Sequence, residues 1–232
     1  ISGFEMFIRN GGDGAAVELQ RTGSHVLYVP HIPEETNIFW TGFAFVNPGD
    51  TDADCMFHWF SDSGELLGIS EMVIPAHTKL KGLMDGLFPE FADTARWMLV
   101  GSEVPVTGIE IFGTTAGGIC GMALPGSSHT HGLLPELTYE AGRWTGLVVT
   151  NATEDAVVVT LELVGADGMV KETHTESLAG FARFKAVVAD YFSGSTVENG
   201  DYVRYTATGP VVGLQISGND GQTVMSALTA TR

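Results

Sequence analysis

This sequence has few positively charged residues. Its 232 residues include 11 Lys and Arg against 28 Asp and Glu, which gives a formal net charge of −17 and a pI near 4.5. Binding to phosphate backbones needs clustered basic side chains, so this balance argues against nucleic acid as a partner. The same shortage argues against an anionic membrane surface as a partner. Membrane insertion is also not expected, because no apolar run approaches the roughly 20 residues of a spanning helix.

Cysteine is scarcer still. Two cysteines exclude a disulfide-dense small fold and a four-cysteine zinc site. Charged residues make up 17% of the chain and hydrophobic residues 44%, so the sequence can bury a sizeable core and is too apolar for a disordered chain. The first residue is Ile1 rather than Met, from which we expect a processed or cut product.

What the sequence does contain is a repeat. Residues 40–47 (WTGFAFVN) return as residues 144–151 (WTGLVVTN), at an offset of 104 residues. Self-similarity over such a distance marks a structural unit of about 105 residues that occurs in tandem. Further identities that keep this register, with a shift of one residue at the last, are Gly64 with Gly168, Lys81 with Lys185, Phe88 with Phe192 and Pro105 with Pro210.

A partial third copy stands at the N-terminus. Residues 3–7 (GFEMF) match residues 108–112 (GIEIF), and His25 then matches His129. We therefore expect residues 2–19 to form the closing hairpin of a further unit. Phe4 shares a face with Met6, and Val17 shares one with Ala15 and Leu19, so this hairpin has apolar surface to bury. Either it packs on its own chain, or its edges pair with another subunit.

Strand patterns dominate each unit. The alternation of Cys55, Phe57 and Trp59 with polar or mixed neighbours predicts a strand with these three side chains in the core. The following turn ends in Gly64, which can supply the positive φ that a hairpin needs. Apolar residues at helical spacing over residues 80–88 and 184–192 predict one short amphipathic helix in each unit.

The predicted fold class is all-β, as tandem antiparallel β-sandwiches of six or seven short strands each, since the helices that a parallel sheet requires are missing. The expected division of the chain has four parts: trailing strands of a partial repeat plus a linker (1–35), a first sandwich (36–125), a linker rich in Gly, Ser, His and Pro (126–143) and a second sandwich (144–232).

The shared pattern of Trp-Thr-Gly, a DG-type turn, a short Leu- and Phe-rich helix and Pro-Val-x-Gly resembles tandem repeats in secreted and cell-surface proteins of bacteria, of Ig-like or fibronectin-III-like type. This resemblance covers nearly the whole chain, but its motifs are structural ones. It implies a location outside the cytoplasm, at the cell surface, in the medium or in the periplasm. It carries over no catalytic residue.

Three histidines are candidate metal ligands. His129 and His131 are alternate residues of a predicted strand and so share a face, and His25 occupies the position equivalent to His129. Together with a further His or carboxylate they could hold copper or zinc. The alternative is an ordinary solvated connection.

Three aspartates resemble the start of a calcium loop. They are Asp50, Asp52 and Asp54, but Cys55 stands where an EF-hand needs Gly, so this is not an EF-hand. No cofactor other than calcium is expected, and solvated loop charge is the alternative to calcium binding.

The two cysteines both fall on core faces. Cys55 and Cys120 therefore either form one inter-strand bridge or remain buried thiols that act as small hydrophobes. A catalytic thiol is not expected, because reactive cysteines need partial exposure and a positive neighbour.

The tryptophans differ in the roles we expect of them. Trp40 and Trp144 occupy the same repeat position, which favours packing, and Trp59 lies on a core face. Trp97 is the tryptophan that we expect to be exposed. Its ring is the candidate platform for a carbohydrate ligand.

Enzyme signatures are absent from the sequence, which has no G-x-S-x-G elbow, H-E-x-x-H, P-loop or G-x-G-x-x-G. The shared polar pair is Asn47 and Asn151, and a strand-end Asn usually bonds nearby backbone. We expect a non-enzymatic structural or adhesive protein. Its expected partner is another protein or a second copy of itself, met through the N-terminal hairpin. The alternative is a carbohydrate- or metal-binding module.

Overall fold

In a computed structural model, residues 4–8, 14–20 and 22–231 are described. The chain divides into two compact units, one of Ile1–Ser61 and Leu66–Ser127 and the other of Asp62–Glu65 and Ser128–Arg232. Regular structure in the described residues is antiparallel strand apart from two helices of four residues each, so the predicted all-β class is confirmed. No helix in this part of the chain is both long and apolar enough to cross a membrane.

The first unit contains an N-terminal hairpin and a sandwich. The hairpin is formed by β1 (Phe4–Ile8) and β2 (Gly14–Glu18). The other elements are β3 (Ser24–Val29), β4 (Phe39–Val46), β5 (Ala53–Phe60), β6 (Leu66–Ile74), β7 (Lys79–Leu83), α1 (Met84–Leu87), β8 (Trp97–Thr114) and β9 (Ile119–Ala123).

One long strand, β8, belongs to both layers of this sandwich. Its first half pairs with β3 and β5, and its second half pairs with β4 and β9. The layers are therefore β6-β5-β8-β3 and β7-β4-β8-β9. Pro105 lies between the two halves, at a point where it is paired with no residue of the described strands. Proline lacks the N–H that a ladder requires, so it fits the place where the strand passes from one layer to the other.

The second unit repeats this topology. Its elements are β10 (His129–Leu134), β11 (Arg143–Asn151), β12 (Val157–Val164), β13 (Val170–Leu178), β14 (Arg183–Val187), α2 (Val188–Tyr191), β15 (Tyr202–Asn219) and β16 (Met225–Thr229). The long strand β15 pairs with β12 up to Ala207 and with β11 from Val211 onward. Pro210 lies between these two segments, as Pro105 does in the first unit.

Some expected elements differ in extent from the observed ones. The sequence pattern predicts two short strands, over 97–100 and 106–112, where the structure has the single strand β8, and two more, over 202–205 and 211–217, where it has β15. The helix expected over 80–88 covers four residues, because the chain before Met84 pairs with β4 as strand β7. Strand β10 lies inside the range 126–143 that was expected to be a linker, and β3 lies inside 1–35. Each of these strands pairs with the long strand of its unit. This pairing joins residues far apart in the chain, so local sequence patterns do not predict it.

The interior of each sandwich follows the predicted faces. Cys55, Phe57 and Trp59 are buried, and Met56 on the opposite face is exposed. Phe88 fills the first core, with its ring centroid 5.0 Å from that of Phe57 and 4.7 Å from that of Trp59. The second core uses aliphatic side chains at the corresponding positions, namely Val159, Leu161 and Leu163.

A buried asparagine closes one loop in each unit. The Asn47 side-chain amide donates hydrogen bonds to the carbonyl oxygens of Thr51 and Ile74, both at 2.8 Å, and its Oδ1 accepts one from the Gly49 N–H. Asn151 is equally buried, and the hydrogen bonds of both side chains confirm that they bind backbone. Its side chain makes the corresponding contacts with Asp155, Ala179 and Thr153.

Candidate interaction surface

The N-terminal hairpin has one buried face and one exposed face. Strands β1 and β2 pair over five residues, so alternate side chains point to opposite sides of the ribbon. Ala15 and Val17 are buried. Phe4, Met6 and Ile8 are 64%, 57% and 67% exposed, and we call these three side chains the ribbon face. Ile8 extends the alternation that the sequence shows at Phe4 and Met6. The remaining residues of the expected hairpin, 2–3 and 9–13, lie outside the described residues.

The buried side of the hairpin packs on its own unit. A β-carbon on Gly121 of β9 would lie only 2.9 Å from Val17 Cγ2, so the small glycine makes room for the valine. After β2, the Gln20 side chain donates to the Leu124 carbonyl oxygen at 2.7 Å and accepts from the Gly108 N–H at 2.8 Å. The first of the two expected alternatives, packing on its own chain, therefore holds for this side of the ribbon.

The ribbon face has an equivalent within the first unit. Phe4 and Met6 occupy the repeat positions of Ile109 and Ile111 on β8. Ile111 lies next to Gly121, at the place where Val17 packs, and both isoleucines are half-buried rather than exposed. The N-terminal hairpin thus covers the surface of β8 and β9 that corresponds, by the repeat, to the ribbon face. Among the described residues, β1 itself pairs only with β2.

The candidate histidines do not come together as a metal site. No group of three His, Cys, Asp or Glu side chains among the described residues could hold an ion. In the sheet register, His129 on β10 is equivalent to Ser24 on β3, because the two residues face equivalent positions of the long strands. The matching of His129 with His25 is therefore one residue out of register, and a shift of one residue reverses the face of a strand. His131 is exposed.

The three aspartates also point to different partners. Asp52 Oδ1 accepts a hydrogen bond from the Ala76 N–H at 2.9 Å. Asp50 Oδ1 lies 3.0 Å from His77 Nε2, and both side chains are exposed. Asp54 lies on the exposed face of β5. The structure thus does not assemble these carboxylates around a common point.

Trp97 does not provide an exposed ring. It is fully buried and stacks on Phe60, with 4.4 Å between ring centroids and 12° between ring planes. The expected exposure was wrong because β8 pairs with β5 at this point, which directs the indole into the interior. Its position therefore excludes it as a surface platform.

A cavity in the first unit is lined by a different tryptophan. Its volume is about 360 Å³, and Phe39, Trp40, Asp85 and Asp93 are among its lining residues. The Thr36 hydroxyl donates a hydrogen bond to Asp93 Oδ1 at 2.9 Å. Aromatic faces and carboxylates thus meet in one small concave site.

Both cysteines are buried, free thiols. Burial raises the pKa of the Cys55 thiol, and the nearby Asp54 carboxylate adds to this against a lowering hydrogen bond from Ser102. Burial, with a contribution from Glu110, raises the pKa of the Cys120 thiol well above its ordinary value. The thiols stay protonated at neutral pH, which makes them poor nucleophiles.

Comparisons with known proteins give no family. No family model matches the chain, and no curated protein matches it by sequence. The Anabaena sensory rhodopsin transducer is similar in structure at 20% identity, over 37% of this chain and 92% of that one, with a TM-score of 0.31.

Two further solved structures are similar at still lower sequence identity. The Thermotoga maritima protein 1070 is 16% identical over 44% of this chain and 94% of that one, with a TM-score of 0.36. A mutant of Bacteroides uniformis beta-glucuronidase 2 is 10% identical over 88% of this chain and 25% of that one, with a TM-score of 0.19. At these TM-scores none of the likenesses bears on function.

Proposed function

We propose that this chain is a non-enzymatic structural or adhesive protein, extracellular or at the cell surface, that associates with a second copy of itself through the ribbon face. The observation that carries the proposal is the exposure of Phe4, Met6 and Ile8 side by side on one strand. Contiguous exposed apolar side chains of this kind mark interaction surfaces in soluble proteins.

A second copy is the occupant that the charge distribution favours. The chain carries a net charge of −17, so two copies repel each other over most of their surfaces. The ribbon face is made of uncharged side chains, and Glu18, opposite Phe4, is the one acidic residue paired with them. Identical apolar faces can stack about a two-fold axis, which is the commonest symmetry of protein dimers.

The expected association is weak. Full burial of a large apolar side chain stabilises a contact by about 1.5–3 kcal/mol. Burial of three such residues from each copy is opposed by the loss of translational and rotational freedom on association, which costs roughly 4–15 kcal/mol. The mass of the particle should therefore rise with concentration over the micromolar to millimolar range rather than be fixed.

Light scattering at a series of concentrations tests this proposal. We expect the native chain to approach a dimer as concentration rises, and a Phe4→Thr, Met6→Thr, Ile8→Thr variant to remain a monomer. Thr keeps the preference for strand. The matched control is Met169→Thr, which removes an apolar side chain that is also 67% exposed. A native chain that stays monomeric at all concentrations would overturn the proposal.

Carbohydrate binding is the second candidate function, and the cavity at Trp40 favours it. A sugar could stack its C–H face on the ring of Phe39 or Trp40. Its hydroxyl groups could then donate hydrogen bonds to the carboxylates of Asp85 and Asp93. Saccharides should then raise the melting temperature of the native chain and not that of an Asp85→Ala variant. The corresponding residue of the second unit is Ala189, so alanine is compatible with the scaffold. Equal responses of both proteins would exclude this site.

A further inference from the structure

The first unit presents a second unusual surface, on the outer side of its β6-β5-β8-β3 layer. Met56, Ile69 and Val73 are 47%, 48% and 57% exposed there. Asp54, Glu71 and Glu103 line the same region, around a shallow depression of about 710 Å³. We call this surface the first-unit face, defined by Asp54, Met56, Ile69, Glu71, Val73 and Glu103.

Acidic and apolar side chains alternate across this face. On neighbouring strands Asp54 lies opposite Val73, and Met56 lies opposite Glu71. A β-carbon on Gly101, opposite Met56 on the other side, would have no heavy atom within 4 Å, so the surface is open above β8. Val73 and Met56 thus each lie opposite a carboxylate, whereas Ile69 lies opposite His58 and two residues before Glu71 on the same strand.

The second unit shows that the fold does not require this arrangement. The positions equivalent to Met56, Ile69 and Val73 hold Thr160, Thr173 and Ser177. Those equivalent to Asp54, Glu71 and Glu103 hold the uncharged residues Val158, Thr175 and Thr208. Two other equivalent positions hold Arg204 and Glu162, which form an ion pair at 2.7 Å where the first unit has Leu99 and His58. A polar outer face is what an antiparallel sheet with one solvated side normally carries. The apolar and acidic residues of the first-unit face are therefore not explained by folding.

We propose that the first-unit face binds an extended polypeptide segment that presents apolar residues and Lys or Arg in turn on one and the same side, at every second residue. The apolar side chains of the segment would cover Met56, Ile69 and Val73, and its cations would meet Asp54, Glu71 and Glu103. A second copy of this acidic chain is repelled by such a face, and so is an anionic membrane. Complementary charge speeds encounter and selects a basic partner over an acidic one.

The probe for this proposal is a capped, fluorescein-labelled decapeptide of sequence LSKSLSKSLS. Its Leu and Lys residues alternate at every second position, with Ser between them, so that both kinds lie on one side of an extended chain. Its dissociation constant is measured by fluorescence anisotropy, and its position is mapped from the methyl signals of methionine and isoleucine. The same peptide with Glu in place of Lys, or with Ser in place of Leu, should bind at least about tenfold more weakly, because the proposed contact needs both charge and apolar anchors.

A variant that copies the second unit is the decisive comparison. Met56→Thr, Ile69→Thr and Val73→Ser together should weaken binding of the Leu-Lys peptide by about tenfold or more. The scaffold of the second unit already accepts these residues, and a circular dichroism spectrum checks the fold. The matched control is Met169→Thr with Val224→Thr, which removes exposed apolar side chains outside the face and should leave binding unchanged.

The charged half of the face is tested separately. Asp54→Asn, Glu71→Gln and Glu103→Gln together should weaken binding and flatten its dependence on salt concentration. The proposal is overturned if the Met56, Ile69, Val73 variant binds the peptide as tightly as the native chain, or if the methyl shifts concentrate outside the face. A change in the oligomeric mass of that variant would also overturn it, because the face would then be a contact between copies.

Discussion

Trp40 covers Gly113, which lies directly opposite it on the neighbouring strand of the sheet. A β-carbon on Gly113 would lie 2.7 Å from Trp40 Cζ2. Trp144 covers Gly218 in the same way in the second unit, at 2.5 Å. An aromatic ring laid over a cross-strand glycine shields the exposed backbone and fixes the register of the pair. The repeated tryptophan of the sequence is thus a packing residue, as expected.

Substituting either of these glycines by alanine should destabilise its unit. The added methyl group would clash with the indole ring in both units, and in the first unit also with the Gly118 carbonyl oxygen at 2.5 Å. Overpacking of this kind costs about 1–3 kcal/mol. Urea unfolding of Gly113→Ala and Gly218→Ala measures the loss. Gly101→Ala is the control, since its β-carbon would meet nothing within 4 Å. Equal stability of Gly113→Ala and Gly101→Ala would refute the packing role.

Removing the Asn47 side chain should cost more than a surface substitution. Asn47→Ala leaves the buried carbonyl group of Ile74 without this donor, at about 1–3 kcal/mol for an unsatisfied buried group, and also removes the part-buried hydrogen bond to the Thr51 carbonyl. Asn47→Asp should also destabilise at neutral pH, because a carboxylate cannot donate to these carbonyls. Chemical denaturation is the measurement, and exposed Asn199→Ala should stay within about 0.5 kcal/mol of the native chain.

Alkaline pH should weaken the second unit through Tyr205. Burial raises the pKa of this phenol to about 12 from its ordinary value of 10. A pKa raised in the folded state stabilises that state fully below pH 10, and the contribution is lost as pH rises through 12. The stability of the native chain should therefore fall more steeply between pH 10 and 12 than that of Tyr205→Phe. Parallel curves from the two proteins would contradict this.

The two thiols should not react with thiol reagents while the protein is folded. Because Cys55 and Cys120 are buried and protonated, a thiol reagent such as Ellman's should label neither at neutral pH in the native state. In denaturant, without any reductant, both should react. If the unfolded and unreduced chain yields no free thiol, the cysteines form a bridge after all.

Local patterns predicted several of the strands, the turns and the core faces. Gly64 and Gly168 adopt positive φ angles of 87° and 81°, as the turn pattern required. The buried and exposed sides of β5 also follow its alternation. These features are predictable because each depends on a few neighbouring residues. The possible partners of His25, the exposure of Trp97 and the extent of β8 depend on strands far away in the chain, so sequence patterns did not fix them.

The sequence by itself determined the repeat, the all-β class and the position of the N-terminal hairpin. These features follow from the alternation of apolar and polar residues along the chain, which sets the period of burial. Only the tertiary structure decided which faces remain uncovered. The ribbon face and the first-unit face both consist of side chains that would look like ordinary core residues in a strand pattern. Whether an apolar side chain is buried depends on which strand or layer packs over it. That packing involves residues far apart in the chain, which come together only when the sandwich forms.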